Sequence, residues 1–230
     1  MIQCFEVNLQ PFYRVVRLLA LTMLIIIPVQ IAIYVISPPP DTVLGFFERY
    51  QQNPFLGLLS LDFLYLFNNM ILIFIYLAIF VLLYQEKPLI MLVALITGLI
   101  GIACYYPSNP AFEMLNLSSQ YFQALPEKQA IFLAAGEALM AGYTGTSFDA
   151  YYVFSTLSLL LFAYAILKSS QFKNSVGFWG LAAGFFMLVP SSAGMLGMIF
   201  SLFSLIPWIV FVTLLMLKFN QLAFGTQKAA

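Results

Sequence analysis

The chain has 230 residues, is 63% hydrophobic and 8% charged, carries 24 phenylalanines, and balances nine basic against nine acidic residues. No soluble fold of this size hides so much apolar surface from water, so lipid is its solvent. The lack of any histidine excludes His-ligated haem, His-based metal centres and Ser-His or Cys-His nucleophile pairs, and a zero net charge without a basic run gives no footprint for nucleic acid.

Crossing a hydrocarbon layer of about 30 Å takes roughly 20 apolar residues at about 1.5 Å each. Six stretches meet that length in chain order: 15–36, 55–84, 89–105, 151–167, 176–193 and 195–219. The expected fold is therefore all-α, a single membrane domain over 1–230 built as a polytopic six-helix transmembrane bundle. The first stretch is longer than the apolar core of a cleavable signal and lacks a small-x-small site after it, so it is read as a retained helix.

SPPPDTVLGFFERYQQNP follows. The prolines stop the first helix, Asp41 or Thr42 caps a short amphipathic helix, and Val43, Phe46, Phe47 and Tyr50 line its apolar side. The second stretch is read as one helix through 55–84. Asp62, Tyr65, Asn69 and Tyr76 fall on one side of it, with Asn68 adjacent. Asp62 lies near the headgroups, but an amide in lipid is costly without a partner, so Asn68 and Asn69 face other helices or water. They either join helices through hydrogen bonds of about 0.6 to 2 kcal/mol or form the floor of a pocket.

The third stretch carries Ala94 and Gly98 at four-residue spacing and ends on Cys104, Tyr105 and Tyr106. Cys104 and Cys4 fall on opposite sides of the bilayer and do not pair. An excursion over 106–150 is too long for a turn and reads as two helices. Asn109 caps and Pro110 opens the first, with Phe112, Leu115, Ser119 and Phe122 on its apolar face. Pro126 opens the second, with Phe132, Gly136, Leu139 and Tyr143 aligned and Glu137 pointing away. The fourth stretch begins with Asp149, Tyr151, Tyr152, Ser155 and Ser158. The fifth carries Gly177, Gly180 and Gly184, spaced for close helix approach. In the sixth, Pro207 frees the carbonyl of Phe203, beside Ser201, Ser204 and Trp208.

The polar groups at one depth define a candidate ligand-binding vestibule: Asp62, Tyr65, Asn68, Asn69, Tyr105, Glu113, Glu137, Asp149 and Tyr152. Asp62 and Asp149 are the pair suited to acid-base work if burial raises a pKa. The chain contains no HExxH, nucleophile elbow or Walker motif and no acidic metal cluster, so no catalytic residue, metal or cofactor is assigned. With both termini cytoplasmic, six crossings leave only Arg49 and Lys128 of the nine basic residues outside, the bias that sets orientation.

NPFLGLLSLDFLYL before and into the second helix, LPEKQAIFLAAGEAL in the excursion, and AYAILKSSQF followed by VGFWGLAAG resemble an uncharacterised bacterial integral membrane family, domain of unknown function 4386. The resemblance implies the six-helix layout and a bacterial inner (plasma) membrane, and carries over no site residues. The function expected is non-enzymatic: a binding or accessory subunit that engages a partner protein or an apolar or lipid ligand on its outer face. Its partners are then membrane lipid or other membrane subunits. The alternatives are a small transporter or lipid-active enzyme using the vestibule, and an accessory subunit of a respiratory or photosynthetic complex.

Overall fold

The computed structural model describes residues 8–225; Cys4 and Lys228 lie outside them. The described chain is helical without a strand. Its elements are α1 (Gln10–Ile36), α2 (Val43–Gln52), α3 (Pro54–Leu59), α4 (Phe63–Leu83), α5 (Pro88–Ser108), α6 (Ala111–Gln123), α7 (Pro126–Tyr143), α8 (Thr146–Leu167), α9 (Asn174–Phe186) and α10 (Gly194–Phe224). Five helical runs are long and apolar enough to cross a membrane: α1, α4, α5 continuing into α6, α7 continuing into α8, and α10.

Two expected spans differ. The stretch 176–193 contains a helix of only 13 residues, about 20 Å at the usual rise, against a hydrocarbon layer of about 30 Å. Pro190 cannot donate a helical hydrogen bond, and its own carbonyl accepts from the Ala193 N–H in a turn instead. Gly194 then takes φ +64°, a left-handed conformation suited to glycine, to start α10. The stretch 55–84 is not one helix either; it breaks between α3 and α4.

Helix packing runs in a closed circuit: α1 on α4, α4 on α5, α5 on α8, α8 on α9, α9 on α10, and α10 back on α1. Small residues set the closest approaches. A Cβ added at Gly98 of α5 would lie 2.6 Å from both Ser158 Oγ and Tyr76 Cε2, and one at Gly101 would lie 2.7 Å from Ser155 Oγ. Gly180 of α9 is similarly pressed on Ala163 of α8, where an added Cβ would come within 2.8 Å of the alanine Cβ. The seam between first and last helices is pinned near the termini. Arg17 Nη1 donates to Asn220 Oδ1 at 3.2 Å, Arg14 Nε to the Ala223 carbonyl at 3.4 Å, and both guanidiniums lie over the Phe224 ring.

At the opposite end, α2, α3, α6 and α7 form a cap with its own core around Phe46, Phe47, Tyr50, Leu61, Ala111 and Met114. Thr42 caps α2, its hydroxyl accepting from the Gly45 N–H at 3.1 Å. Phe132, Leu139 and Tyr143 of α7 pack on that core, Gly136 is buried and Glu137 is exposed, as the spacing predicts. The face expected of α6 is turned. Ala111, Met114 and Ser118 are its buried residues, while Phe112 and Phe122 are 57% and 45% exposed. Two contacts fix that rotation: Ser118 Oγ donates to the Phe47 carbonyl at 2.7 Å, and Phe112 meets Phe63 edge to face. The helix begins at Ala111, one residue after Pro110, with the Asn109 side chain accepting from the Ala111 N–H.

Gly98→Leu is expected to overpack the α5/α8 contact and lower stability by about 1–3 kcal/mol, whereas Glu137→Ala on the exposed side of α7 should shift it by less than about 0.5 kcal/mol. Thermal unfolding of the two variants in one detergent, followed by circular dichroism, checks the contrast.

Candidate functional site

The site begins at the α3/α4 break. Asn53 caps α3, its side chain accepting from the Leu56 N–H at 3.0 Å, and Pro54 occupies the first turn. Three turns would carry an uninterrupted helix past Asp62, but Asp62 adopts φ +56° and ψ +31°, the only positive φ at a non-glycine among the described residues. Aspartate tolerates this conformation better than most residues, though at a cost. Two carbonyls and a hydroxyl at the break take partners from elsewhere in the chain. Gln30 Nε2 of α1 donates to the Leu59 carbonyl at 3.2 Å, Asn109 Nδ2 to the Leu61 carbonyl at 2.7 Å, and Arg49 Nη1 to Ser60 Oγ at 2.9 Å. Such capture is what makes non-helical backbone tolerable at the edge of a membrane domain.

The Asp62 carboxylate accepts from two tyrosines. Tyr34 of α1 donates to Oδ1 at 2.5 Å and Tyr143 of α7 donates to Oδ2. No basic side chain among the described residues engages it. Burial pushes the Asp62 carboxyl above its ordinary range, and the two hydroxyls oppose that shift. Neither tyrosine stands out in the sequence as its partner, because both contacts depend on the break aiming the carboxylate between α1 and α7.

Asp62 lines two cavities. The inner one, about 220 Å³, occupies the middle of the helical circuit, where α4 faces α8 and α10. Tyr65, Asn68, Leu72 and Tyr76 of α4 line it at offsets of three, seven and eleven. Tyr105, Tyr151, Tyr152 and Ser155 complete the wall from α5 and α8, and Ser201, Ser204 and Trp208 from α10. The second cavity, about 420 Å³, lies between the bundle and the cap, with Tyr34, Ser60 and Tyr143 on its wall. A third depression of about 190 Å³ runs along α8 and shares Tyr152 and Met187 with the inner cavity. Its other walls include Val153, Leu157 and Leu188, which are 61%, 43% and 57% exposed.

The hydrogen-bonding inventory of the inner cavity is incomplete. Tyr65 and Tyr151 hydroxyls meet at 3.1 Å, and Tyr152 meets Ser201 at 3.3 Å. Asn68 Oδ1 and Ser155 Oγ are buried without a partner, each on a residue only 2% exposed. Buried polar atoms left unpaired are uncommon and cost about 1–3 kcal/mol each.

Of the predicted vestibule residues, the structure gathers Asp62, Tyr65, Asn68, Tyr105 and Tyr152 on this cavity. Asn69 turns away, fully buried, and its Nδ2 donates to the Tyr65 carbonyl one turn back at 3.1 Å. The polar line of α4 thus runs through Asn68, because the helix restarts after Asp62 and its phase is set by the break. Glu113 and Glu137 are exposed on the cap helices and line neither cavity. Asp149 accepts from Ser192 Oγ at 2.5 Å, so the two aspartates proposed as an acid-base pair hold different partners. Ser204, beside the Phe203 carbonyl that Pro207 frees, donates to the Ser201 carbonyl at 2.6 Å. Comparison with family models, curated proteins and solved structures gives no match to this chain.

Because the folded state raises the carboxyl pKa of Asp62 above an unfolded value near 4, folding favours its protonated form. Its contribution to stability is whole below about pH 4 and is lost as pH rises through the folded value. The stability advantage of the wild type over Asp62→Asn should therefore shrink from pH 4 to pH 8. Unfolding midpoints of the two proteins across that range measure it, and a constant difference contradicts the assigned environment.

Proposed function

We propose that this protein is a six-crossing bacterial inner-membrane protein that binds an amphipathic ligand, placing the polar group in the inner cavity and the apolar chain along the α8 groove. The observation that carries this reading is a buried cavity with two unpaired polar atoms, Asn68 Oδ1 and Ser155 Oγ, that shares walls with an apolar surface groove. Pockets of this kind combine apolar walls with a few convergent polar groups. The groove side chains face where lipid would lie, so a ligand dissolved in the bilayer can reach Tyr152 and Met187 without passing through water.

The six-crossing topology is supported by the closed packing circuit, in which α9 holds a full place between α8 and α10. Residues 187–193 after α9 would supply the length its 13 residues lack. Orientation with both termini in the cytosol rests on the distribution of lysine and arginine. It sets the cap, and the cavity beneath it, on the outer side. Binding rather than turnover fits the chemistry available, since the lining offers one carboxylate and no nucleophile-base pair. A transporter is the second reading, favoured by the position of Asp62 on the walls of two cavities at once.

Protein purified in a mild maltoside detergent should retain about one equivalent of a native amphiphile, detectable by native mass spectrometry. Ser201→Phe, which fills the cavity beside Tyr152, should lose it while circular dichroism stays unchanged. Equal retention by both proteins, or none by either, overturns the reading.

A further inference from the structure

The chemistry of the inner cavity is one-sided. Among the described residues Asp62 is the one carboxylate on its wall, and no lysine or arginine lines it. The same holds for the cavity on the far side of Asp62, where Asp41 adds a second acid and no base. Both Asp62 oxygens take neutral tyrosine hydroxyls, so its negative charge, when present, has no counter-ion. A charge held that way is expensive unless a cation joins it.

The wall beside Asp62 is aromatic. Tyr65 and Tyr105 rings lie 5.3 Å apart, Tyr105 and Tyr151 5.0 Å, Tyr151 and Tyr152 5.6 Å, and Phe148 and Tyr152 5.2 Å. Contiguous aromatic surface attracts cations through the ring quadrupole. The protein's own cation-aromatic contacts lie elsewhere: Arg14 and Arg17 over Phe224, Lys218 over Phe172. Asn68 Oδ1 adds an acceptor that lacks a donor. Carboxylate, aromatic wall and free carbonyl oxygen all favour the same partner, and each disfavours an anion.

We infer that the polar group bound in the inner cavity is an organic ammonium, held between the Asp62 carboxylate and the Tyr65–Tyr105–Tyr151–Tyr152 wall. This rests on the ligand-binding reading above and specifies the ligand's charge. A substituted ammonium suits the cavity better than a metal cation, because its alkyl groups contact the rings while its charge needs no shell of oxygen ligands.

The test uses choline against 3,3-dimethylbutan-1-ol, its uncharged carbon isostere, on full-length protein in maltoside micelles. Trp208 lines the cavity while Trp179 does not, so Trp179→Phe leaves one tryptophan whose fluorescence reports occupancy. Choline is expected to bind at least tenfold more tightly than the isostere, about 1.4 kcal/mol. Asp62→Asn should bring the ratio to within threefold. If that variant does not fold, Tyr152→Leu should weaken choline severalfold while Tyr152→Phe, which keeps the ring, does not. Equal binding of the two probes, or no response to choline, overturns the ammonium assignment. A retained native amphiphile in the mass-spectrometric experiment would then leave the binding reading standing, and its absence would remove both.

Discussion

The helix interruption at Ser60–Asp62 is the constraint on which the rest of the site depends. A continuous helix through 54–83 would satisfy its own carbonyls and deny Gln30 and Asn109 the Leu59 and Leu61 carbonyls to which they donate. Broken, it exposes two carbonyls that the Gln30 and Asn109 amides capture, from α1 and the α5/α6 junction, while Arg49 of α2 holds the Ser60 hydroxyl. One local irregularity thereby ties the membrane bundle to the cap. It also aims the Asp62 carboxylate at Tyr34 and Tyr143, which belong to those same two bodies. The strain of a left-handed aspartate is offset by bonds that could not form otherwise.

The cavity follows from where the helices come closest. Gly98 and Gly101 draw α5 against α8, and Gly180 draws α9 against the other side of α8. With α8 held between those neighbours, α4 meets it only sparsely, and the space opposite fills with tyrosine rings rather than aliphatic chains. Aromatic side chains are stiff and large, so a wall made of them keeps its shape with an interior it does not fill.

Much of this was legible in the amino-acid sequence, and the parts that were not share a cause. Apolar run length marked the five helical runs long enough to cross a membrane, because lipid imposes length directly, but it did not reveal the short α9 or the break within 55–84. Capping residues and small-residue spacing located α2, the excursion helices and the close contacts of α9. Rotational phase was harder. Asn68 rather than Asn69 faces the cavity, and Met114 rather than Phe112 faces the cap core, because a helix restarted after a break or a proline takes its phase from tertiary hydrogen bonds. The break itself has weak sequence marks: LSLD contains no proline or glycine, and it is held by side chains from outside it, Gln30, Arg49 and Asn109. The Asp62 tyrosines were hidden for the same reason, since they lie 28 and 81 residues from it along the chain.

The arginine-pinned seam between α1 and α10 has a consequence for biogenesis. Helix α1 meets one of its two packing neighbours, α10, only after every described element between them has been made. Until then the stripe of Tyr13, Val16, Ala20 and Met23, which ends fully or nearly fully covered, must be shielded by α4, by lipid or by an insertion factor. The circuit therefore closes only once α10 has been inserted, and a chain halted before α10 would present an open-sided bundle to membrane quality control.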